Sequence, residues 1–263
     1  MTRDTRIPME HPSDNDITGA SNLFTLELLQ AVSDWQRGGD AKQNKKRGQK
    51  LKEMCASLPE KYRTCSLCCF RQVALPKGGI WKIIGENCLP EKISSWTPDI
   101  NVAKAFKGGV PPEEQEYQGV ILHIYPPPES VIVNLCKLYK DPDFTAAMEK
   151  NKAAIVGYEN GSWRYANEQS EVVLEIASVT QQDIYSMGGH SSRFEKLVDE
   201  AAKLAYGPNA TPDQHAKLLF KAERARSEAG PRWLSPDATK CVLARTKPKA
   251  ETLAKIKRNQ TTS

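Results

Sequence analysis

Asn167-Glu168-Gln169-Ser170-Glu171-Val172-Val173-Leu174-Glu175-Ile176 runs from amides and carboxylates into an apolar segment broken only by Glu175. Val172, Val173 and Ile176 are β-branched and suit a pleated, half-buried surface, so the segment is expected to be a strand. Side chains of an extended chain alternate between faces. Gln169, Glu171, Val173 and Glu175 therefore fall on one face, and Val172, Leu174 and Ile176 on the other. The expectation is an amphipathic strand whose apolar face meets a core and whose other face carries carboxylates into water.

Upstream, Tyr158 to Ala166 reads as a loop that delivers Tyr158, Trp163 and Tyr165 to the start of this strand. Exposed aromatics on a loop mark contact with a partner. Earlier still, Gly119 to Tyr125 and Ser130 to Leu135 read as strands, separated by Pro126-Pro127-Pro128, a run that a central strand cannot contain. Asp143 to Ala154 reads as a short helix. Leu67 to Leu75 reads as a strand, Gly78-Gly79 as a turn and Ile80 to Ile84 as a second strand. Ser94-Ser95-Trp96-Thr97-Pro98-Asp99 leads into a helix, with Thr97 as N-cap, Pro98 at the first helical position and Asp99 in the first turn.

Helices flank this strand-rich middle. Ser21 is placed to cap a helix whose Phe24, Leu28, Val32 and Trp35 recur at helical spacing, ended by Gly38-Gly39. A basic helix follows over Asp40 to Leu58, carrying Lys45, Lys46, Arg47, Lys50 and Lys52. Such a run is ordinarily a solvated face, and it is also the charge pattern that holds a polyanion. After Gly188-Gly189, Ser192 with Glu195 forms a capping box for a helix through Phe194, Leu197 and Val198. Thr211-Pro212 opens another, stopped by Gly230-Pro231, and Lys240 to Ser263 reads as a basic, polar tail. The expected organisation is a flexible tail over residues 1–20, a helical region over 21–63, an α+β core over 64–190 and a basic helical region over 191–263.

At 263 residues the chain buries a core without staples. Its net charge of +5 is uneven, at +2 over residues 1–63, −4 over 64–190 and +7 over 191–263. The middle is acidic and the C-terminal flank basic. Seven cysteines, odd in number and unevenly spaced, with no signal sequence ahead of them, read as reduced thiols of a cytoplasmic protein. No apolar run approaches the roughly 18 residues that cross a bilayer, so no membrane is expected. Cys65-Ser66-Leu67-Cys68-Cys69 lacks the second cysteine or histidine pair that a structural zinc site requires, so no metal is expected. Nothing local supports a Cys69–His190 nucleophile. The glycine pairs at 78, 108 and 188 do not form the G-x-G-x-x-G turn of a doubly wound dinucleotide fold.

Three pieces in order carry a family resemblance: Phe70-Arg71 in the first core strand, Ser95-Trp96-Thr97 before a helix, and Gln169-Ser170-Glu171-Val172-Val173-Leu174 opening a late strand. Together they resemble the Arg-Ser-Glu class of ADP-ribosyltransferases, of bacterial and phage toxin type, over roughly Leu67 to Ser186. The resemblance implies an ADP-ribosyltransferase-like split β-sandwich with helical additions at both ends, and NAD as substrate without a metal. It implies Glu171 as the catalytic carboxylate and Gln169 as the residue that meets the acceptor. Arg71 would hold the pyrophosphate of NAD, and Ser95 with Thr97, in place of a second serine, would position NAD and Glu171. Tyr158, Trp163 and Tyr165 occupy the place of the target-recognition loop. Glutamine at 169 goes with acceptors other than arginine in this class. The acceptor is then a macromolecule, RNA or DNA slightly ahead of protein, and a toxin would carry an antitoxin or inhibitor protein as partner. The rival reading is a non-catalytic nucleic-acid-binding module that works through its basic flanks.

Overall fold

A computed structural model describes residues 23–165, 169–229 and 232–261. Its helices are α1 (Leu26–Arg37), α2 (Ala41–Cys55), α3 (Gly79–Glu86), α4 (Ile100–Ala105), α5 (Leu135–Tyr139), α6 (Pro142–Asn151), α7 (Ser162–Tyr165), α8 (Phe194–Tyr206), α9 (Pro212–Ala229) and α10 (Pro236–Thr261). Its strands are β1 (Cys69–Leu75), β2 (Ile93–Trp96), β3 (Gln118–Ile124), β4 (Val131–Asn134), β5 (Val172–Glu175) and β6 (Ile184–Gly189). The protein is thus α+β, with two three-stranded antiparallel sheets, ordered β1-β3-β6 and β2-β5-β4. The chain divides into two compact units, one of Met1–Leu58 with Lys137–Ala166 and one of Pro59–Cys136 with Asn167–Ser263.

The first unit is helical. Thr25 caps α1 by accepting from the Leu28 amide at 3.3 Å, which turns Leu28, Leu29 and Val32 into one buried stripe. Ser21, expected in that role, lies outside the described residues. Asp40 and Gln43 close a reciprocal capping box at the start of α2, at 2.8 and 3.1 Å. Leu51 and Cys55 face inward from α2, while Lys42, Lys45, Lys46 and Lys50 are exposed. Phe144 of α6 receives the edges of Phe24 and Tyr139, with ring centroids 5.3 and 5.2 Å away. The segment around Tyr158 is not the expected loop. It forms a 3-10 turn over Tyr158–Asn160 and then α7, and Gly161 between them lies so close to the Ser33 carbonyl that a side chain would clash.

The second unit holds both sheets. Trp96, Val172, Leu174 and Val131 from one sheet and Cys69, Leu75, Val120, Leu122, Ile184 and Met187 from the other share one apolar core. The sheets meet where Phe70 and Thr97 exchange two backbone hydrogen bonds of 2.7 and 2.9 Å. Thr97 is therefore part of a bridge and not an N-cap. Asp99 caps α4, accepting from the Asn101 amide at 2.8 Å. Ile80 to Ile84, expected as a strand, is helical within α3. Ile80, Ile83 and Ile84 reach the core at three- and four-residue spacing, a pattern that so short an apolar run does not distinguish from a strand.

β5 also departs from expectation. Val173 is as buried as Val172 and Leu174, so within the strand only Glu175 keeps the expected face partly exposed, beside Lys92. Ser170 has φ of 45°, a left-handed conformation that breaks the alternation before the strand, so Gln169 does not share a face with Glu171 by strand geometry. Glu168 lies outside the described residues.

The C-terminal flank closes this unit. Residues 240–261 are no polar tail but the body of α10, in which Pro236 takes the first turn and Ser235 Oγ accepts from the Ala238 amide at 3.2 Å. Leu243 of α10 is 2% exposed and belongs to the core. Just before it, the Leu234 amide donates to the Met187 carbonyl at 2.8 Å, and Ser186 Oγ donates to the Leu234 carbonyl at 2.7 Å. Trp233 lies against Gly119 and Gly188, a directly paired couple on β3 and β6, and its indole N–H donates to the Lys104 carbonyl at 3.0 Å. The expected Ser192/Glu195 capping box is absent. Glu113 reaches across instead and accepts from the Phe194 amide at 2.7 Å, bringing a carboxylate to the start of α8.

Candidate active site

The register of β1 against β3 places Cys69, Arg71, Val73 and Leu75 on the core side. Arg71 thus occupies a position where an apolar side chain would otherwise pack, and its side chain is only 15% exposed. A charge so placed demands a carboxylate. Glu91, on the connection between α3 and β2, supplies it, accepting from Arg71 Nη2 with its own side chain 41% exposed. The Arg71 Nε–H is buried and has no hydrogen-bond partner. One donor of the guanidinium fork is therefore satisfied by Glu91 and another stays free.

The second sheet positions the other two groups. β2 pairs with β5 so that Ser95 faces Val173 and Trp96 faces Val172. Ser94 and Trp96 turn inward, with the Trp96 indole N–H donating to Ser94 Oγ at 3.0 Å. Ser95, between them, turns to the opposite face, where its hydroxyl donates to Glu171 Oε1. Glu171 is 5% exposed, and Ser95 is exposed. A buried carboxylate held by a hydroxyl that water can reach is fixed in direction without being sealed off.

Electrostatics couple these groups. Burial lowers the pKa of the Arg71 guanidinium, while the charges of Glu91 and then Glu171 oppose that effect. Glu171 acts on Arg71 as an attractive charge, more weakly than Glu91 does. The structure brings together Arg71, Ser95 and Glu171, residues far apart in sequence. Thr97 is buried beside them, but its hydroxyl accepts from the Asp99 amide at 3.2 Å and is committed to a turn. Gln169 lies in the turn ahead of β5 and is half-buried. Tyr158, Trp163 and Tyr165 belong to the helical unit. There, the rings of Tyr158 and Trp163 lie 6.4 Å apart, Trp163 is 64% exposed and Arg164 covers Tyr165.

Glu91 was not anticipated from sequence. The alternation of β1 announces that Arg71 needs a carboxylate, but choosing Glu91 among the acidic residues of the middle segment requires the tertiary fold. The cysteine-rich turn is compact, with Cys65 Sγ 3.6 Å from Cys69 Sγ, and burial pushes the Cys69 thiol well above its ordinary value. Among the described residues no group of three or more His, Cys, Asp or Glu side chains is arranged to hold a metal ion, and no helix is long and apolar enough to cross a membrane. No protein-family model, curated protein or solved structure matches the chain.

Proposed function

We propose that the protein is a mono-ADP-ribosyltransferase that consumes NAD, built on a split β-sandwich of the ADP-ribosyltransferase type. The observation that carries the reading is the buried Glu171, held by the Ser95 hydroxyl of the neighbouring strand and within charge reach of Arg71. That combination matches the chemistry. Breaking the bond between ribose C1′ and the nicotinamide nitrogen leaves positive charge on the ribose, as in other glycosidic cleavages. Glu171 stabilises that charge as it develops, and its fixed direction avoids reorganisation during reaction. Ser95 holds the carboxylate, and Arg71 offers its fork of N–H donors to the diphosphate. Nicotinamide leaves as a neutral ring. The acceptor nucleophile bonds to C1′ and releases a proton.

The acceptor is a macromolecule, with nucleic acid ahead of protein. Lys42, Lys45, Lys46 and Lys50 of α2 are exposed and form no ion pair among the described residues, which suits a phosphate backbone. The same lysines support a second reading, a non-catalytic nucleic-acid-binding module in which Glu171 has no chemical role.

Nicotinamide release from NAD by the purified chain, with cell lysate as acceptor source, decides between them. Glu171→Gln is expected to lower the rate by about 10²–10³, the usual cost of removing one charge-stabilising group from a transition state. Separate nuclease and protease digestion of the labelled lysate then identifies the acceptor class. Absence of release from wild type with both nucleic acid and protein present, alongside retained nucleic-acid binding in Glu171→Gln, refutes the transferase reading.

A further inference from the structure

We infer that Glu91 is a side-chain latch on Arg71, a built-in competitor that the diphosphate of the substrate must displace. The inference rests on the NAD reading given above. Three features of the site lead to it.

The first is which partner is free to move. Arg71 is fixed on a core strand, whereas Glu91 is the more exposed member of the pair. The backbone around Glu91 is pinned on both sides: Leu89 is buried in the core, and the Lys92 carbonyl accepts from the Ile176 amide at 2.8 Å. The Asn87 carbonyl accepts from the Val179 amide at 3.3 Å, which holds the connection one step further back. Only the Glu91 side chain has to rotate for the guanidinium to open. No loop movement is involved.

The second is the half-used fork. Arg71 gives one donor to Glu91, while its buried Nε–H has no partner. A guanidinium offers parallel donors that match two oxygens of one anion. A diphosphate engaging the Nη donors that Glu91 vacates forms two bonds where there was one, with the buried Nε–H left as it is.

The third is charge balance. Glu91 pairs with Arg71 and the charge of Glu171 also acts on it, so Arg71 already answers to two negative charges. An incoming diphosphate adds two more. If Glu91 stays, the site opposes the ligand, and if it swings to solvent, Arg71 meets the diphosphate with Glu171 alone nearby. In the meantime the pair keeps a buried guanidinium from standing uncompensated.

A latch that is closed about nine-tenths of the time weakens the apparent affinity of the ligand about tenfold. The test is calorimetric titration of the full chain with ADP-ribose, which does not react, and with inorganic diphosphate, each against wild type, Glu91→Gln and Glu91→Asp. Glu91→Gln keeps an oxygen for Arg71 but removes the charge, and Glu91→Asp keeps the charge one methylene further back. Thermal melts check that each variant is folded. About tenfold tighter binding of both ligands by Glu91→Gln, with a smaller gain for Glu91→Asp, supports the latch, and the shared gain locates it at the phosphates. Should Glu91→Gln fail to fold, Glu91→Asp decides alone. Equal or weaker binding by the folded variants overturns the latch and makes Glu91 a positioning partner of Arg71, while the NAD reading stands. No binding of ADP-ribose by wild type or by the folded variants, at millimolar ligand, overturns the NAD reading and the latch with it.

Discussion

A methyl group placed at Gly119 is the most direct probe of how the second unit is closed. The added Cβ would stand 2.6 Å from Pro111 Cδ, 2.9 Å from Trp233 Cη2 and 3.1 Å from the Gly188 carbonyl. A proline ring and a paired strand carbonyl cannot retreat cheaply, so Gly119→Ala is expected to carry an overpacking cost of about 2–3 kcal/mol. Against this, alanine in a strand gains roughly 0.5–1 kcal/mol over glycine from the lower entropy of its unfolded chain. The net is a loss of about 2 kcal/mol, or a fall in Tm of about 4–8 °C for a unit of this size. Trp233→Ala, which removes a half-buried ring and its bond to Lys104, is expected to cost about 2 kcal/mol. The two losses should not add. With the indole gone, one of the three obstacles disappears, and the double variant should be more stable than the sum of the single losses by about 1 kcal/mol. Urea unfolding followed by circular dichroism measures all four proteins. A coupling within the roughly 0.5 kcal/mol expected of independent sites refutes the packing described here, and so does a Gly119→Ala variant that is more stable than wild type.

Two further outcomes follow from local structure. Burial raises the Cys69 thiol above its ordinary value of 9.0, so the folded state holds a proton that the unfolded state releases. Stability is then full below pH 9 and falls as pH rises, by up to ~1.4 kcal/mol per pH unit for this one group. Cys69→Ala should flatten that alkaline decline in urea titrations between pH 8 and 10.5, and an unchanged slope counts against a buried thiol. Asp40→Ala removes the carboxylate that accepts from the Gln43 amide and leaves the reciprocal bond, from the Asp40 amide to Gln43 Oε1, without its counterpart. It should cost about 1 kcal/mol, read as faster hydrogen exchange of amides in the first turn of α2 with α6 amides unaffected.

Much of the strand framework can be read from sequence, because β3, β4 and β5 are rich in β-branched residues and β1 is a mixed run that stops ahead of Pro76, whereas β6 is not anticipated. Arg71, Ser95 and Glu171 are singled out by the ordered resemblance of their motifs and not by alternation, which the left-handed Ser170 interrupts just ahead of Glu171. What escaped detection had a common cause, namely competition that only the tertiary fold settles. Ile80 to Ile84 fits either period until a core appears on one side of it. Asp99 outcompetes Thr97 as a cap because the Thr97 backbone is drawn into the bridge with Phe70. Glu113 replaces Ser192 at the start of α8 from eighty-one positions away, a partner that no local motif announces. The helix at 240–261 looked like a tail because its apolar residues are sparse, although Leu243 is enough to anchor it.

That anchor has a consequence in time. The six strands among the described residues have been synthesised by Gly189, yet Leu243, which joins their shared core, arrives roughly fifty residues later, about 3–10 s at ordinary rates of translation. During that interval the nascent sheets stand without the helix that packs on α3 and β6, held by hydrogen bonds but with an apolar face not yet sealed. Folding of the second unit is thus gated by the ribosome's progress toward α10, and a chain stalled before that helix would present the same face to chaperones and to other copies of itself.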